Sequence, residues 1–175
     1  MIDHSRSIAL TVNGEDVRET VEVRTTLVDF LRERLGLTGS HVGCEQGVCG
    51  ACTVRLDGVT VRGCLTLVVQ CASRTVETIE GVSDRGEIAD LQEAFVLRNA
   101  LQCGFCTPGM LLSAQELLAE WQERGGVPGR EEIRAHLSGN YCRCTGYQAI
   151  VDAVESVAAE RLGAPASRPP LEPAA

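Results

Sequence analysis

The chain has 175 residues and a formal net charge of -8, with 44% hydrophobic and 23% charged residues, the balance of a soluble globular protein of one or two domains. This acidity and an aromatic content of only 3% argue against nucleic-acid binding, because phosphates are repelled and no stacking ladder is available. All 16 basic residues are arginines, so a phosphate-binding loop and a Schiff-base enzyme, which both need a lysine, are excluded.

The first eighty residues predict a sheet that carries one helix. Alternating hydrophobic residues flank the turn signal Asn13-Gly14, and a second hairpin turn is predicted at Asp57-Gly58. The predicted elements are strands at 7–12 and 16–23, a helix at 27–35 capped by Thr25 or Thr26, strands at 51–56 and from 59, and short strands at 65–70 and 75–79. This order predicts a β-grasp sheet.

Only helical patterns follow a group of turn residues at 81–86. The predicted helices lie at 88–95, 107–121, 130–137 and 150–158. We therefore expect an α+β protein with an N-terminal β-grasp domain over 1–82 and a C-terminal four-helix bundle over 87–162. The proline-rich segment 163–175 is predicted to be disordered.

Nine cysteines in a chain of this size need an explanation. The N-terminal residues lack the apolar stretch of a signal peptide, and no run of eighteen apolar residues predicts a membrane span. We therefore expect a cytoplasmic protein. Because cytoplasmic thiols stay reduced, grouped cysteines there indicate metal binding rather than disulfides.

The first group of cysteines has the spacing of plant ferredoxins. Cys44, Cys49 and Cys52 follow the pattern Cx4Cx2C, and Cys64 follows after eleven intervening residues. Glycines between these residues let backbone amides wrap around an anionic 2Fe-2S cluster. Four cysteines also satisfy a zinc ion, but zinc sites usually use two separated pairs. The spacing therefore favours a cluster.

The second group consists of two pairs, Cys103 with Cys106 and Cys142 with Cys144. A helix is predicted to begin directly after each pair, at Thr107 and at Thr145, so free amides and the positive end of the helix dipole would face the thiolates. Brought together, the pairs would form a 2Fe-2S site. By spacing alone, a zinc site or a redox dithiol remains an alternative.

Four other residues near these groups have simpler interpretations. Cys71 has no partner at a useful spacing and is predicted to be a buried thiol. His41 is interpreted as a surface residue rather than as a Rieske-type ligand, because four cysteines already complete the first set. Arg143 either offsets cluster charge or faces water. Trp121 is predicted to pack in a core or an interface.

Three stretches together resemble one protein family: GCEQGVCGACTV at 43–54, QCGFCTPGM at 102–110 and CRCTGY at 142–147. They are similar to the iron-sulfur subunit of the molybdenum hydroxylases, the group of xanthine dehydrogenase, aldehyde oxidoreductase and aerobic carbon monoxide dehydrogenase. The likeness runs from about residue 7 to 162. It implies a plant-type ferredoxin-like domain and a helical domain, each with one 2Fe-2S cluster.

The resemblance also implies partners and a role. A large subunit would carry a molybdenum-pterin site and a medium subunit FAD, in a dimer of heterotrimers. Electrons would pass from the pterin to the cluster of the second group, then to that of the first group, then to FAD. Gln102 and Cys144 match positions that contact the pterin, and no catalytic residue is expected in this chain. The alternatives are a freestanding two-cluster electron carrier or redox sensor and a zinc-stabilised interaction module.

Overall fold

The computed structural model describes residues 4–163. The strands are β1 (Ser5–Val12), β2 (Glu15–Glu22), β3 (Thr53–Leu56), β4 (Val59–Arg62) and β5 (Thr75–Glu77). The α-helices are α1 (Leu27–Asp29), α2 (Ile79–Asp84), α3 (Ala89–Leu97), α4 (Thr107–Arg124), α5 (Arg130–Leu137) and α6 (Gln148–Leu162). The segment predicted to be disordered lies, apart from Gly163, outside the described residues.

The strands form one mixed five-stranded sheet in the order β2-β1-β5-β3-β4. Both predicted hairpins are confirmed, since β1 pairs antiparallel with β2 and β3 with β4, while β5 joins them by running parallel to β1 and antiparallel to β3. One face of the sheet packs on the predicted first helix. The buried core between them includes Leu10, Leu27, Phe30 and Val54.

The first helix is interrupted by a wider turn. Thr26 caps α1 by accepting a hydrogen bond from the Asp29 amide at 3.2 Å, and the helix continues as a π-helical turn over Phe30–Arg34. The prediction of a strand at 65–70 is wrong, because the chain forms a 3-10 turn at Val68–Cys71. Val68 and Cys71 are both 0% exposed. Because a 3-10 turn has three residues per turn, these two side chains lie on the same side and both point into the core.

The turn predicted at 81–86 is instead largely helical, since α2 covers its first four residues. Position 81 requires a glycine because the side chain of Asn13 occupies the space where a Cβ would lie. A glycine that allows close approach of two segments was thus interpreted as a turn signal. Ile79 and Val82 pack into the helical core.

Helices α3 to α6 surround a second hydrophobic core, which includes Leu91, Met110, Ile133 and Val154. The predicted core or interface role of Trp121 is confirmed, since it packs against this cluster. Together with the sheet, these helices make an α+β fold. No helix among the described residues is long and apolar enough to cross a membrane.

Polar contacts join the sheet to the helices. Glu116 of α4 accepts hydrogen bonds from the Thr60 amide at 3.0 Å and from the Thr60 hydroxyl at 2.7 Å. The same carboxylate lies 3.4 Å from Nε2 of His136 on α5. Because β4, α4 and α5 meet at this carboxylate, it connects three elements that come from both halves of the sequence.

Candidate metal centres

The first group of thiols lies on the loop between the π-helical turn and β3 and just beyond β4. Sγ of Cys44 accepts hydrogen bonds from the amides of Gln46 and Cys49, both at 3.4 Å. Cys49 also contacts Cys44 through its own thiol, and the thiol of Cys64 contacts that of Cys52. The second hairpin brings Cys64 back to the loop, because the amide of its neighbour Gly63 donates a hydrogen bond to the carbonyl oxygen of Cys52 at 3.0 Å.

Hydrogen bonding and burial affect these thiols in opposite directions. The amides of Cys49 and Gln46 lower the pKa of Cys44 to about 6, so this thiol is a thiolate at neutral pH. Burial raises the pKa of Cys52 to about 11. A buried thiol of this kind becomes an anion only when a cation compensates the cost of its charge.

The second group is built from two segments that flank α4 and α5. The Sγ atoms of Cys103 and Cys144 are 3.5 Å apart, and the thiol of Cys106 contacts that of Cys142. The predicted helix start at Thr107 is confirmed. The predicted start at Thr145 is wrong, because Tyr147 adopts φ +67°, a left-handed conformation, and α6 begins only at Gln148.

The second group repeats the electrostatic pattern of the first. The Phe105 amide lowers the pKa of Cys103, and burial raises the pKa of Cys106 to about 12. Burial of Cys142 acts to raise its pKa, but the Thr145 hydroxyl, which donates to its Sγ at 3.2 Å, and nearby amides act in the opposite direction. Their effect is larger, so the pKa of Cys142 is lowered. The Thr145 hydroxyl thus donates the hydrogen bond to Cys142, where the sequence predicts free backbone amides at a helix start.

The donor sets fit a two-iron group. Between residues 4 and 163, no three His, Cys, Asp or Glu side chains are gathered closely enough to hold a single metal ion. Each set consists instead of two thiol pairs, and a 2Fe-2S cluster distributes four thiolates over two irons. The pairs are Cys44 with Cys49, Cys52 with Cys64, Cys103 with Cys144, and Cys106 with Cys142.

The two thiol loops touch each other, a contact that no pattern in the sequence predicts. His41 is half-buried rather than a free surface residue: its ring stacks on Phe105 with centroids 4.7 Å apart, and Nδ1 lies 2.8 Å from the Phe105 carbonyl oxygen. The Tyr141 amide donates to the carbonyl oxygen of Cys49 at 2.8 Å. The first loop therefore contacts Phe105 and Tyr141, each of which is next to a cysteine of the second group.

The remaining candidate residues occupy distinct places. Nε2 of Gln102 donates to the carbonyl oxygen of Cys144 at 3.1 Å, and both residues are exposed. Arg143 is exposed as well. Cys71 is confirmed as a buried thiol, since it is 0% exposed and burial raises its pKa.

Comparison with known proteins connects both thiol groups to iron and sulfur. A family model described as a 2Fe-2S iron-sulfur cluster binding domain matches residues 10–85. A second model, described as a [2Fe-2S] binding domain, matches residues 78–155. The two models together span nearly all of the described chain.

Relatives with functional names cover most of the chain. The small subunit of nicotine 6-hydroxylase from Paenarthrobacter nicotinovorans is 53% identical over 84% of this chain and 86% of its own length. The gamma subunit of caffeine dehydrogenase from Pseudomonas sp. strain CBB1 is 48% identical, over 87% of this chain and 91% of its own. A chain of quinoline 2-oxidoreductase from Pseudomonas putida 86 superposes with a TM-score of 0.82 at 48% identity, covering 92% of this chain and 99% of that one.

Proposed function

Because this chain belongs to the iron-sulfur small subunits of the molybdenum hydroxylases, we propose that its eight grouped cysteines hold two 2Fe-2S clusters that relay electrons inside such a complex. Members of this family are electron-transfer subunits of oxidoreductases whose partners carry the molybdenum-pterin cofactor and FAD. The chain is accordingly a non-catalytic subunit of an oxidoreductase. Its own contribution is to hold and tune the clusters.

The observation that carries the proposal is the arrangement of thiols in four pairs. Each pair would hold one iron, with the first cluster on Cys44, Cys49, Cys52 and Cys64 and the second on Cys103, Cys106, Cys142 and Cys144. When bound, each cluster accepts and releases one electron at a time. The amides at Cys44 and Cys103 and the hydroxyl at Cys142 stabilise negative charge on sulfur, which is how a protein adjusts cluster potentials.

The proposed direction of the relay rests on the family resemblance, which places the second group beside the pterin. We propose that Gln102 and Cys144 contact the pterin, because they match the family positions that do so; their exposure and the hydrogen bond between them are compatible with this contact. The second cluster then receives electrons first and passes them to the first cluster and on to FAD. In finer detail, we propose a β-grasp domain over 1–82, a four-helix domain over 87–162, a dimer of heterotrimers and a cytoplasmic location.

The substrate is selected on the large subunit. Relatives of this chain belong to enzymes named for caffeine, nicotine and quinoline. All three compounds are N-heterocycles. We propose that the complex of this chain hydroxylates an aromatic N-heterocycle. The test is substrate-dependent reduction of a dye, measured with a panel of N-heterocycles, aldehydes and carbon monoxide.

The experiment that tests the relay is metal analysis with low-temperature electron paramagnetic resonance on dithionite-reduced protein, purified with its native partners. We expect four irons per chain, two distinct 2Fe-2S signals, and molybdenum in the same complex. Two signals in a small monomer without molybdenum would support the freestanding carrier instead. Zinc in place of iron would refute both.

A further inference from the structure

Asn140 is a buried polar residue between the two thiol loops. It is 2% exposed and follows α5, two residues before Cys142. Its Oδ1 accepts a hydrogen bond from the hydroxyl of Ser113 on α4 at 2.9 Å, and its Nδ2 donates to the carbonyl oxygen of Gly50 at 3.2 Å. A single side-chain amide therefore links the helices to the loop of the first thiol group.

The backbone around Asn140 is fixed as well. Its carbonyl oxygen accepts a hydrogen bond from the Tyr147 hydroxyl at 3.0 Å. The next amide, that of Tyr141, donates to the carbonyl of Cys49 at 2.8 Å. This hydrogen bond joins Tyr141, the neighbour of Cys142, to Cys49, which is a proposed ligand of the first cluster.

The surrounding packing leaves the two loops no room to approach more closely. A Cβ at Gly109, in the first turn of α4, would lie 2.2 Å from the carbonyl oxygen of Gly50, and a Cβ at Gly50 would lie 2.6 Å from Nδ2 of Asn140. Close backbone contact fixes the shortest distance between the loops. The hydrogen bond from Asn140 then adds to the contacts that keep them from moving apart.

The loop would not lose its own hydrogen bonds without Asn140. The Gly50 carbonyl also accepts from the Thr53 hydroxyl at 2.6 Å and from the Thr53 amide at 3.2 Å. Removing the Asn140 amide leaves this oxygen satisfied within its own loop. What is lost is the side-chain hydrogen bond from Asn140 to the first loop.

We propose that Asn140 is a positioning residue for electron transfer between the two clusters: it holds the Tyr141 amide on the Cys49 carbonyl and so fixes the electronic contact between the loops. The inference rests on the proposed function, since it requires clusters at both thiol groups. It adds a role for a residue that binds no iron and faces no partner.

The test is Asn140→Ala in the purified complex, with two readouts that a purely structural role would not change. These are the magnetic interaction between the two reduced clusters in electron paramagnetic resonance and the rate of electron transfer between them after rapid reduction. We expect both signals to persist, the interaction to change, and transfer to slow by a few-fold, because the rate of electron tunnelling falls exponentially as the groups between the clusters move apart.

The matched control is Thr60→Val. It removes the Thr60 hydroxyl bond to Glu116, which also joins the sheet to α4 but involves neither thiol loop. The control should keep the wild-type interaction and rate. If Asn140→Ala does not assemble, Asn140→Asp retains the acceptor for Ser113 and removes the donor to Gly50, and we expect the same change.

Three outcomes would overturn the inference. One is a variant at Asn140 that keeps both signals with the wild-type interaction and rate. Another is an equal slowing in Thr60→Val, because any weakening of the contact between the halves would then suffice. The third is an unmodified complex without two 2Fe-2S signals, which alone would also refute the proposed function.

Discussion

Replacing Glu116 with Gln should weaken the connection between the sheet and the helices. Hydrogen bonding to His136 is the largest cause that lowers the pKa of this carboxyl, and the Thr60 hydroxyl and amide add to it. Together they overcome burial and lower the pKa from its ordinary 4.5 to about 2. Glu116→Gln keeps the shape of the side chain and removes the charge.

The expected magnitude follows from this pKa. A fall from 4.5 to about 2 corresponds to roughly 3 kcal/mol in favour of the charged, folded form. Because 24% of the Glu116 side chain is exposed, solvent screening reduces this value, and we expect a loss of about 2 kcal/mol. For a chain of this length, that corresponds to a midpoint of thermal unfolding lower by about 4–8 °C.

The pH dependence has a definite sign. The pKa of Glu116 is lowered, so its contribution is present above pH 4.5 and is lost as the pH falls towards about 2. The pKa of His136 is raised above 6.5, first of all by its hydrogen bond to Glu116, so its contribution is complete below pH 6.5 and is lost as the pH rises through the folded pKa. As the pH rises above 6.5, stability should therefore decline in the wild type and change much less in Glu116→Gln.

The assay is thermal bleaching of the visible cluster absorbance, compared between variants at one scan rate because cluster loss is irreversible. Glu123→Gln, at an exposed glutamate on the same helix, is the matched control and should behave like the wild type. A Glu116→Gln midpoint within about 1 °C of the wild type, with the same decline above pH 6.5, would refute the reasoning.

Three further predictions concern the clusters and the contact between α4 and the first thiol loop. Cys142→Ser should remove the electron paramagnetic resonance signal of the second cluster and stop turnover with the physiological acceptor. Cys71→Ser should leave four irons by metal analysis and both cluster signals. Loss of a signal in Cys71→Ser would change the ligand assignment. Gly109→Ala should lower the midpoint of thermal bleaching by several degrees, because the new Cβ would meet the Gly50 carbonyl oxygen at 2.2 Å. An unchanged midpoint would show that α4 moves away from the Gly50 carbonyl without loss of stability.

Much of the fold was predictable because local signals and long-range packing agree. The Asn13-Gly14 and Asp57-Gly58 turns lie between strands that pair as expected, and α5 covers the predicted 130–137. Spacing alone also grouped the thiols that the structure brings together. Short-range patterns suffice where a turn or a helix face determines the outcome.

The remaining features depend on contacts between distant segments. The apolar residues at 65–70 predicted a strand, but burial of Val68 and Cys71 required a 3-10 turn. Position 81 is a glycine because Asn13, far away in the sequence, fills the space of a Cβ, so this glycine marks a close contact inside a helix and not a turn. Asn140 carried no sequence signal at all, because its partners Gly50 and Ser113 are defined only by the folded chain.

The second thiol group also has a consequence for chain topology. Cys106 and Cys142 lie on either side of α4 and α5, so iron bound to both would close a covalent loop around two helices. Closing a loop of a few tens of residues removes about 3–4 kcal/mol of conformational entropy from the unfolded chain. The cofactor would therefore act as a cross-link as well as a redox group: helices α4 and α5 would gain stability only after iron is inserted, and loss of iron would release them first.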